Sequence, residues 1–169
     1  MSALIPVVAA AVHPETAQYL TFTLGDEVYA VGILSIKEII EYGGITAVPM
    51  MSSTIRGVIN LRGAVVPVMD LAARFGRPAH PVGRRTCIVI VEMELDGRRQ
   101  VIGIVVDAVN AVQEIAAADI EPAPTFGLKI ASEFVAGIGK VAGRFVIVLN
   151  VQQVLALDEL GELPALPSA

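Results

Sequence analysis

The 169-residue chain reads as an all-β protein of two packed subdomains, and three features of the sequence predict this. Short apolar runs rich in Val and Ile recur about every 8–12 residues between turn-forming Gly, Pro, Asp and Asn, the spacing of small barrels or sandwiches. The stretch Ile55–Leu71 returns about eighty residues later as Gly137–Val151, matching at Gly57/Gly137, Gly63/Gly143, Val66/Val146 and Val68/Val148, with Asp70 opposite Asn150. A second alignment lays Tyr29–Ile39 on Ile102–Val112. One β-unit is used twice. The repeat is also informative where it fails: Arg62 falls opposite Ala142, and Glu38 opposite Ala111. One half carries an acid and a base where the other carries two methyl groups, which fits a surface ion pair, an interface, or both.

In chain order, Gln18–Leu24 and Glu27–Ile33 flank the turn dipeptide Gly25-Asp26 and form a hairpin. After Ser35, Ile36, Ile39 and Ile40 recur at helical spacing up to Tyr42, with Gly43-Gly44 behind them. A two-turn helix and a strand both fit. Ile45–Val48 reads as a short strand stopped by Pro49, and Ser52 or Ser53 caps a single turn. Gly57–Leu61 and Val65–Met69 flank Arg62-Gly63 as a hairpin with an arginine at its tip. Leu71–Phe75 supplies one helical turn, and Gly76–Gly83, with two prolines, is a linker.

The second unit opens with Thr86–Leu95, crosses Asp96-Gly97 and returns as Val101–Val106. Glu92, Glu94 and Asp96 alternate on one face, which marks the wet side of an outer strand. Ala108–Ile115 and the Pro122/Pro124 segment repeat the connection of the first unit. Phe134–Val141 and Arg144–Asn150 form the last hairpin, and Val151–Leu160 is a helical tail.

Composition narrows the function classes. Twelve basic and seventeen acidic residues leave a net charge of −5 with no basic cluster beyond a pair, so a nucleic-acid partner is not expected. The apolar fraction of 54% lies in short strands, and no window long enough to span a membrane runs free of charge or of Gly and Pro. A single cysteine, Cys87, excludes an intrachain disulfide framework and suits a reducing compartment. The apolar segment Leu4–Val12 lacks the basic region of an export signal and is interrupted by Pro6, so residues 1–16 are expected to be a tail.

No catalytic constellation assembles. His13 lies in the tail and His80 in the linker, leaving Cys87 without a base, and Cys87 opens an apolar strand as a packed thiol would. The clustering of His and Cys needed for a metal is missing. Gly137–Gly143 has the glycines of a phosphate loop but neither its spacing nor the Ser or Thr after Lys140, and it reads as a hairpin turn.

The block Arg56-Gly-Val-Ile-Asn-Leu-Arg-Gly63 followed by Val65-Val-Pro-Val-Met-Asp-Leu71 resembles the signature of the CheW family of chemotaxis coupling proteins. Phe22–Asp26 with Tyr29, Glu38-Ile39, Gly103–Asp107, Pro122-Ala-Pro124 and Gly137 support the resemblance, which covers about Gln18 to Leu157. It implies two five-stranded SH3-like barrels on a pseudo-twofold, with short helices and a C-terminal helical tail. Residues 17–157 would be one CheW-like domain, with subdomains at about 17–80 and 84–157, and 158–169 a C-terminal tail. The implied function is a non-enzymatic adaptor, without cofactor or metal, that joins the histidine kinase CheA, through its SH3-like regulatory domain, to the cytoplasmic tips of chemoreceptors. Such a protein is cytoplasmic and reaches membrane-associated arrays through its partners, with no nucleic acid bound and no direct membrane insertion. By the same resemblance Ile36, Glu38, Arg56, Gly57, Arg62 and Gly63 belong to the kinase-coupling surface, and Cys87, Gly103, Val109 and Val112 to an inter-barrel groove for the receptor. A coupling protein of pili-based surface motility or another chemosensory pathway, or a small-molecule-binding β-barrel module, are the alternatives.

Overall fold

The computed structural model describes residues 16–78, 81–95, 97–124 and 130–156. The expected tails before residue 16 and after 156, together with His13, His80 and Asp96, lie outside the described residues. Eleven strands are described: β1 (Thr16–Leu24), β2 (Glu27–Gly32), β3 (Ile36–Glu41), β4 (Ile55–Leu61), β5 (Ala64–Asp70), β6 (Cys87–Leu95), β7 (Arg98–Val106), β8 (Ala108–Ala116), β9 (Ile120–Glu121), β10 (Val135–Val141) and β11 (Arg144–Leu149). Two short helices follow the fifth and last strands, α1 (Leu71–Arg74) and α2 (Val151–Leu155).

The strands form two sheets, one of five in the order β3-β6-β7-β5-β4 and one of six in the order β8-β1-β2-β11-β10-β9, the sixth being only two residues long. Each sheet holds one copy of the repeat. The β4/β5 register, Ile55 on Met69 and Gly57 on Val68 with a bulge between them, recurs in β10/β11 as Val135 on Leu149 and Gly137 on Val148. The helices repeat too: Asp70 caps α1 through the Ala73 N–H at 3.2 Å, and Asn150 caps α2 through the Gln153 N–H at 3.3 Å.

The sheets are not drawn from contiguous halves of the chain. Hairpin β1/β2 belongs to the six-stranded sheet through a parallel pairing of β2 with β11, Tyr29 beside Ile147 and Ala30 beside Val148. Hairpin β6/β7 belongs to the five-stranded sheet through the matching parallel pairing of β7 with β5, Gly103 beside Val68. A division near residues 80–84 therefore does not separate the two units, because each takes a hairpin from the other side of the linker. The unit containing β3 to β7 is called unit one below, and the other unit two.

One open choice is settled and two local expectations change. Ile36–Glu41 is a strand, the option a short segment of β-branched isoleucines favours once β6 offers backbone partners from Ile36 on Val91 to Glu41 on Cys87. Ile45–Val48 contributes only the bridge of Thr46 to Val58. Strand β6 is an inner strand over Cys87–Val91; from Glu92 outward it keeps only β7 as a neighbour, and there Glu94 is exposed and Glu92 meets Arg99 at 3.6 Å.

The largest core lies between the units. Leu20, Phe22 and Tyr29 of one sheet pack in the same cluster as Met69, Val89 and Ile104 of the other. Phe22, Tyr29, Phe75 and Phe134 form an aromatic ladder with successive ring centres 5.9, 5.5 and 5.5 Å apart. Arg74 ties the helices together, its Nε donating to the Val154 carbonyl at 2.8 Å and its Nη2 to that of Gln153 at 3.1 Å, in the last turn of α2. Its guanidinium carbon lies 4.5 Å from the Phe134 ring centre.

Hairpin exchange predicts one cooperative unit. The full chain will melt in a single transition by calorimetry, and residues 17–80 and 84–157 expressed separately will each lack amide dispersion in NMR spectra. A natively folded fragment would contradict the exchanged topology.

Candidate functional site

The site is set by the tip of β4/β5. A two-residue reversal of type I′ between antiparallel strands needs positive φ at both central positions, and Arg62 and Gly63 adopt 52° and 88°. Asn60 holds the turn, its Oδ1 accepting from the Gly63 N–H at 2.8 Å. From this tip Arg62 reaches β3 and grips Glu38 with both arms: Nη2 donates to Oε1 at 2.9 Å, and Nη1 to Oε2. These hydrogen bonds hold the Glu38 carboxyl below its ordinary value of 4.5 and push the Arg62 guanidinium further up. The Arg62 side chain is 70% exposed and that of Glu38 22%. An ion pair this open contributes little to folding. It offers a partner two oriented charges; Ile39 of β3 and Val65 of β5 are exposed apolar residues of the same unit.

The structure separates the other expected coupling residues by role. Arg56 is held away from that pair: its Nε donates to Asp70 at 2.9 Å and its Nη1 to the Tyr42 hydroxyl at 2.7 Å, with the guanidinium 5.4 Å from the Tyr42 ring centre. Burial lowers the Arg56 pKa, but the bonds to Asp70 and Tyr42 outweigh it and the net shift is upward. Arg56 and Asp70 thus form a clamp that joins β4 to the start of α1. Gly57 is demanded by space and backbone together. Its φ is +153°, and a methyl group there would run into the Thr46 carbonyl, with the carbonyl carbon at 2.8 Å. Ile36 is half-buried against the central core.

The four residues expected in a groove do not form one patch. Cys87 and Val109 both pack against the core between the units. The Cys87 thiol donates to the Arg85 carbonyl at 3.2 Å, and burial, aided by Glu41, pushes its pKa up. Gly103 is buried inside unit one, where a methyl group would meet Ile88 at 2.7 Å, so it acts through packing and not as a groove surface. Val112 is 51% exposed on β8. Sequence reading missed the Arg74 clamp; its one local signal is a basic residue in the last turn of α1, but its acceptors lie eighty residues away. Among the described residues no group of three or more His, Cys, Asp or Glu is placed to hold a metal, and no helix is long and apolar enough to cross a membrane.

Two outcomes follow from this geometry. By carboxyl NMR, Glu38 will titrate below 4.5 and return toward it in Arg62→Ala. A depressed folded-state pKa means that the pair is formed above the ordinary carboxylate range and is lost as pH falls through the lowered value. Equal titration in both proteins would show that no pair forms. In urea, Gly57→Ala will lower stability by about 2–4 kcal/mol and Gly63→Ala, which has open space, by about 1 kcal/mol; equal losses would remove the special role of the Thr46 contact.

Comparison with known proteins agrees with this architecture. The family model described as CheW-like domain matches residues 18–159. The chain is 35% identical over 143 residues to the chemotaxis protein CheW of Klebsiella aerogenes, covering 85% of this chain and 84% of that protein. It is 35% identical over 146 residues to CheW of Helicobacter pylori, covering 86% of each, and 32% identical over 136 residues to protein FrzA of Myxococcus xanthus, covering 80% and 81%. The crystal structure of the scaffolding protein TtCheW from Thermoanaerobacter tengcongensis superposes with a TM-score of 0.76 at 33% identity, covering 87% of this chain and 92% of that one. With the exchanged two-unit β fold, the signature hairpin and relatives matched along nearly their whole length, the chain belongs to the CheW family of chemotaxis scaffold proteins.

Proposed function

We propose that the chain is a non-enzymatic adaptor that couples the histidine kinase CheA to the cytoplasmic tips of chemoreceptors, working from the cytoplasm at membrane-associated receptor arrays. The observation that carries this reading is the bidentate Glu38–Arg62 pair exposed on unit one. A pair so open is of small use to folding and of large use to a partner, which meets its charges already oriented. The regulatory domain of the kinase binds at this end, through Glu38 and Arg62 directly, with Gly57, Gly63 and Arg56 holding the hairpin in shape. The receptor tip, an amphipathic helix, lies along the seam between the units near Cys87 and Val109, with Gly103 packing the sheet beneath.

Non-enzymatic action is supported by how the reactive groups are used. Asp70, the buried carboxylate, is held by Arg56 and by the cap of α1, and the Cys87 thiol is shifted away from the reactive thiolate. A second reading, coupling in another chemosensory pathway such as surface motility, is favoured by the similarity to FrzA, a relative that carries a different name from the chemotaxis proteins.

Calorimetry with the regulatory domain of the kinase tests the site. Glu38→Arg and Arg62→Glu will each weaken binding by about tenfold or more while leaving the melting temperature nearly unchanged. The exchanged double variant will recover part of the loss, a coupling that a double-mutant cycle resolves. Additive effects would end the partnership, and four equal affinities would remove the site from this interface.

A further inference from the structure

Hairpin β6/β7 outgrows the sheet that carries it. Gly103 and Ala30 are counterparts in the repeat, lying beside the matched residues Val68 and Val148 in the two parallel pairings. Outward from Ala30 on Thr21, hairpin β1/β2 closes after three further pairs, the last being Leu24 on Glu27. Outward from Gly103 on Ile90, hairpin β6/β7 runs through five, the last being Leu95 on Arg98. The two extra pairs carry its tip about 7 Å farther out. Pairing with β3 ends at Val91 and pairing with β5 at Gly103, so among the described residues the outer part of the hairpin is a ribbon paired only with itself. Met93 holds it down by packing against the core between the units.

Alternation along the strands sorts the ribbon by face. Glu38 lies on Ile90 across β3/β6, so it shares a face with Ile90 and, farther along β6, with Glu92 and Glu94. On β7 that face takes Arg99, opposite Glu94, and Val101, opposite Glu92. Met93 and Arg98 belong to the other face. The face that carries the Glu38–Arg62 pair thus continues outward into a second pair. Arg99 Nη1 lies 3.6 Å from Glu92 Oε2, with the two side chains 69% and 32% exposed. That distance is longer than a hydrogen bond, so Glu92 steers the guanidinium by charge and leaves its fork of donors to be used elsewhere. A loose exposed pair adds little to folding, and a two-stranded ribbon without neighbours adds little more.

We propose that Arg99 is a specificity-determining residue: presented by the extended hairpin and steered by Glu92, it takes a carboxylate of the kinase's regulatory domain at the edge of the surface where Glu38 and Arg62 meet that partner. The inference rests on the role given to that pair above. Ile90 and Glu92 are about 7 Å apart along the strand, well inside the roughly 800 Å² that one partner covers in a standard interface. An arginine suits the task because its planar fork meets a carboxylate with two parallel bonds. At the rim of an interface such a contact acts on encounter and on choice of partner: a kinase with an acid there is favoured, and one with a base is repelled.

Calorimetry of the full chain with the full-length kinase, repeated across a range of salt, tests this with charge changes that differ only in face. Arg99→Glu is expected to weaken binding by about tenfold and Arg99→Ala by about threefold, both with a shallower dependence on salt. Arg98→Glu makes the same change of net charge on the opposite face and is expected to stay within about twofold of wild type. Excising Glu94, Leu95, Arg98 and Arg99 shortens the hairpin to the length of β1/β2 and is expected to match Arg99→Ala. It decides the matter should Arg99→Glu fail to fold with two acids face to face. Wild-type affinity in the Arg99 variants, or equal losses in Arg98→Glu and Arg99→Glu, overturns this inference; a loss in Arg62→Glu measured alongside leaves the reading of unit one in place. Wild-type affinity in Arg62→Glu as well would overturn that reading and this inference with it.

Discussion

The parallel pairings of β2 with β11 and of β5 with β7 are the constraint on which the molecule depends. Each brings a hairpin from one side of the linker into the sheet of the other, so neither sheet is complete without residues from both halves of the chain. The consequence is a core that belongs to both units, where Tyr29 meets Phe75 and Phe75 meets Phe134 ring against tilted ring. Arg74 closes the arrangement by bonding the carbonyl of Val154, the residue that corresponds to it in the repeat. An adaptor has to hold two binding surfaces at a fixed separation and angle. Two barrels on a flexible tether would not do so; two barrels that exchange hairpins and share a core do.

The two units differ where the repeat is broken. Paired glycines, paired bulges and paired helix caps show that both units obey the same folding rules. Against that background the acid and base of unit one stand out as residues the fold does not require, since unit two reaches the same backbone geometry with two alanines. Gly57 and Gly137 make the opposite point. Both lie against the strand or bridge beside their hairpin, Gly57 against Thr46 and Gly137 against Ile120 and Glu121, so the shared glycine is explained by close approach, a demand the fold does not make of the unshared charges.

Much of this was legible in the residues, and the failures have physical reasons. Hairpins were readable because Gly25-Asp26, Arg62-Gly63 and Gly143 mark reversals within a few residues of the strands they join. The ion pair was visible because alignment of the repeat picked out Glu38 and Arg62 together. Sheet membership was not visible: parallel pairing carries no local mark, and Val28–Val31 looks alike whether it joins β3 or β11. Ile36–Glu41 was ambiguous because isoleucines at positions 36, 39 and 40 satisfy a helical face, and only the presence of β6 decides for a strand. Gly103 was placed on a surface by family resemblance, whereas its lack of a side chain serves Ile88 on the neighbouring strand.

The claim at the centre is that the chain meets its kinase through the ion-paired end of unit one. Methyl NMR of the full chain, labelled at Ile and Val and titrated with the kinase, tests it most directly. Ile36, Ile39 and Val65 are predicted to shift or broaden while the valines at 112 and 141 stay in place. Perturbation confined to Val112 and Val141, with Ile39 and Val65 unmoved, would contradict it.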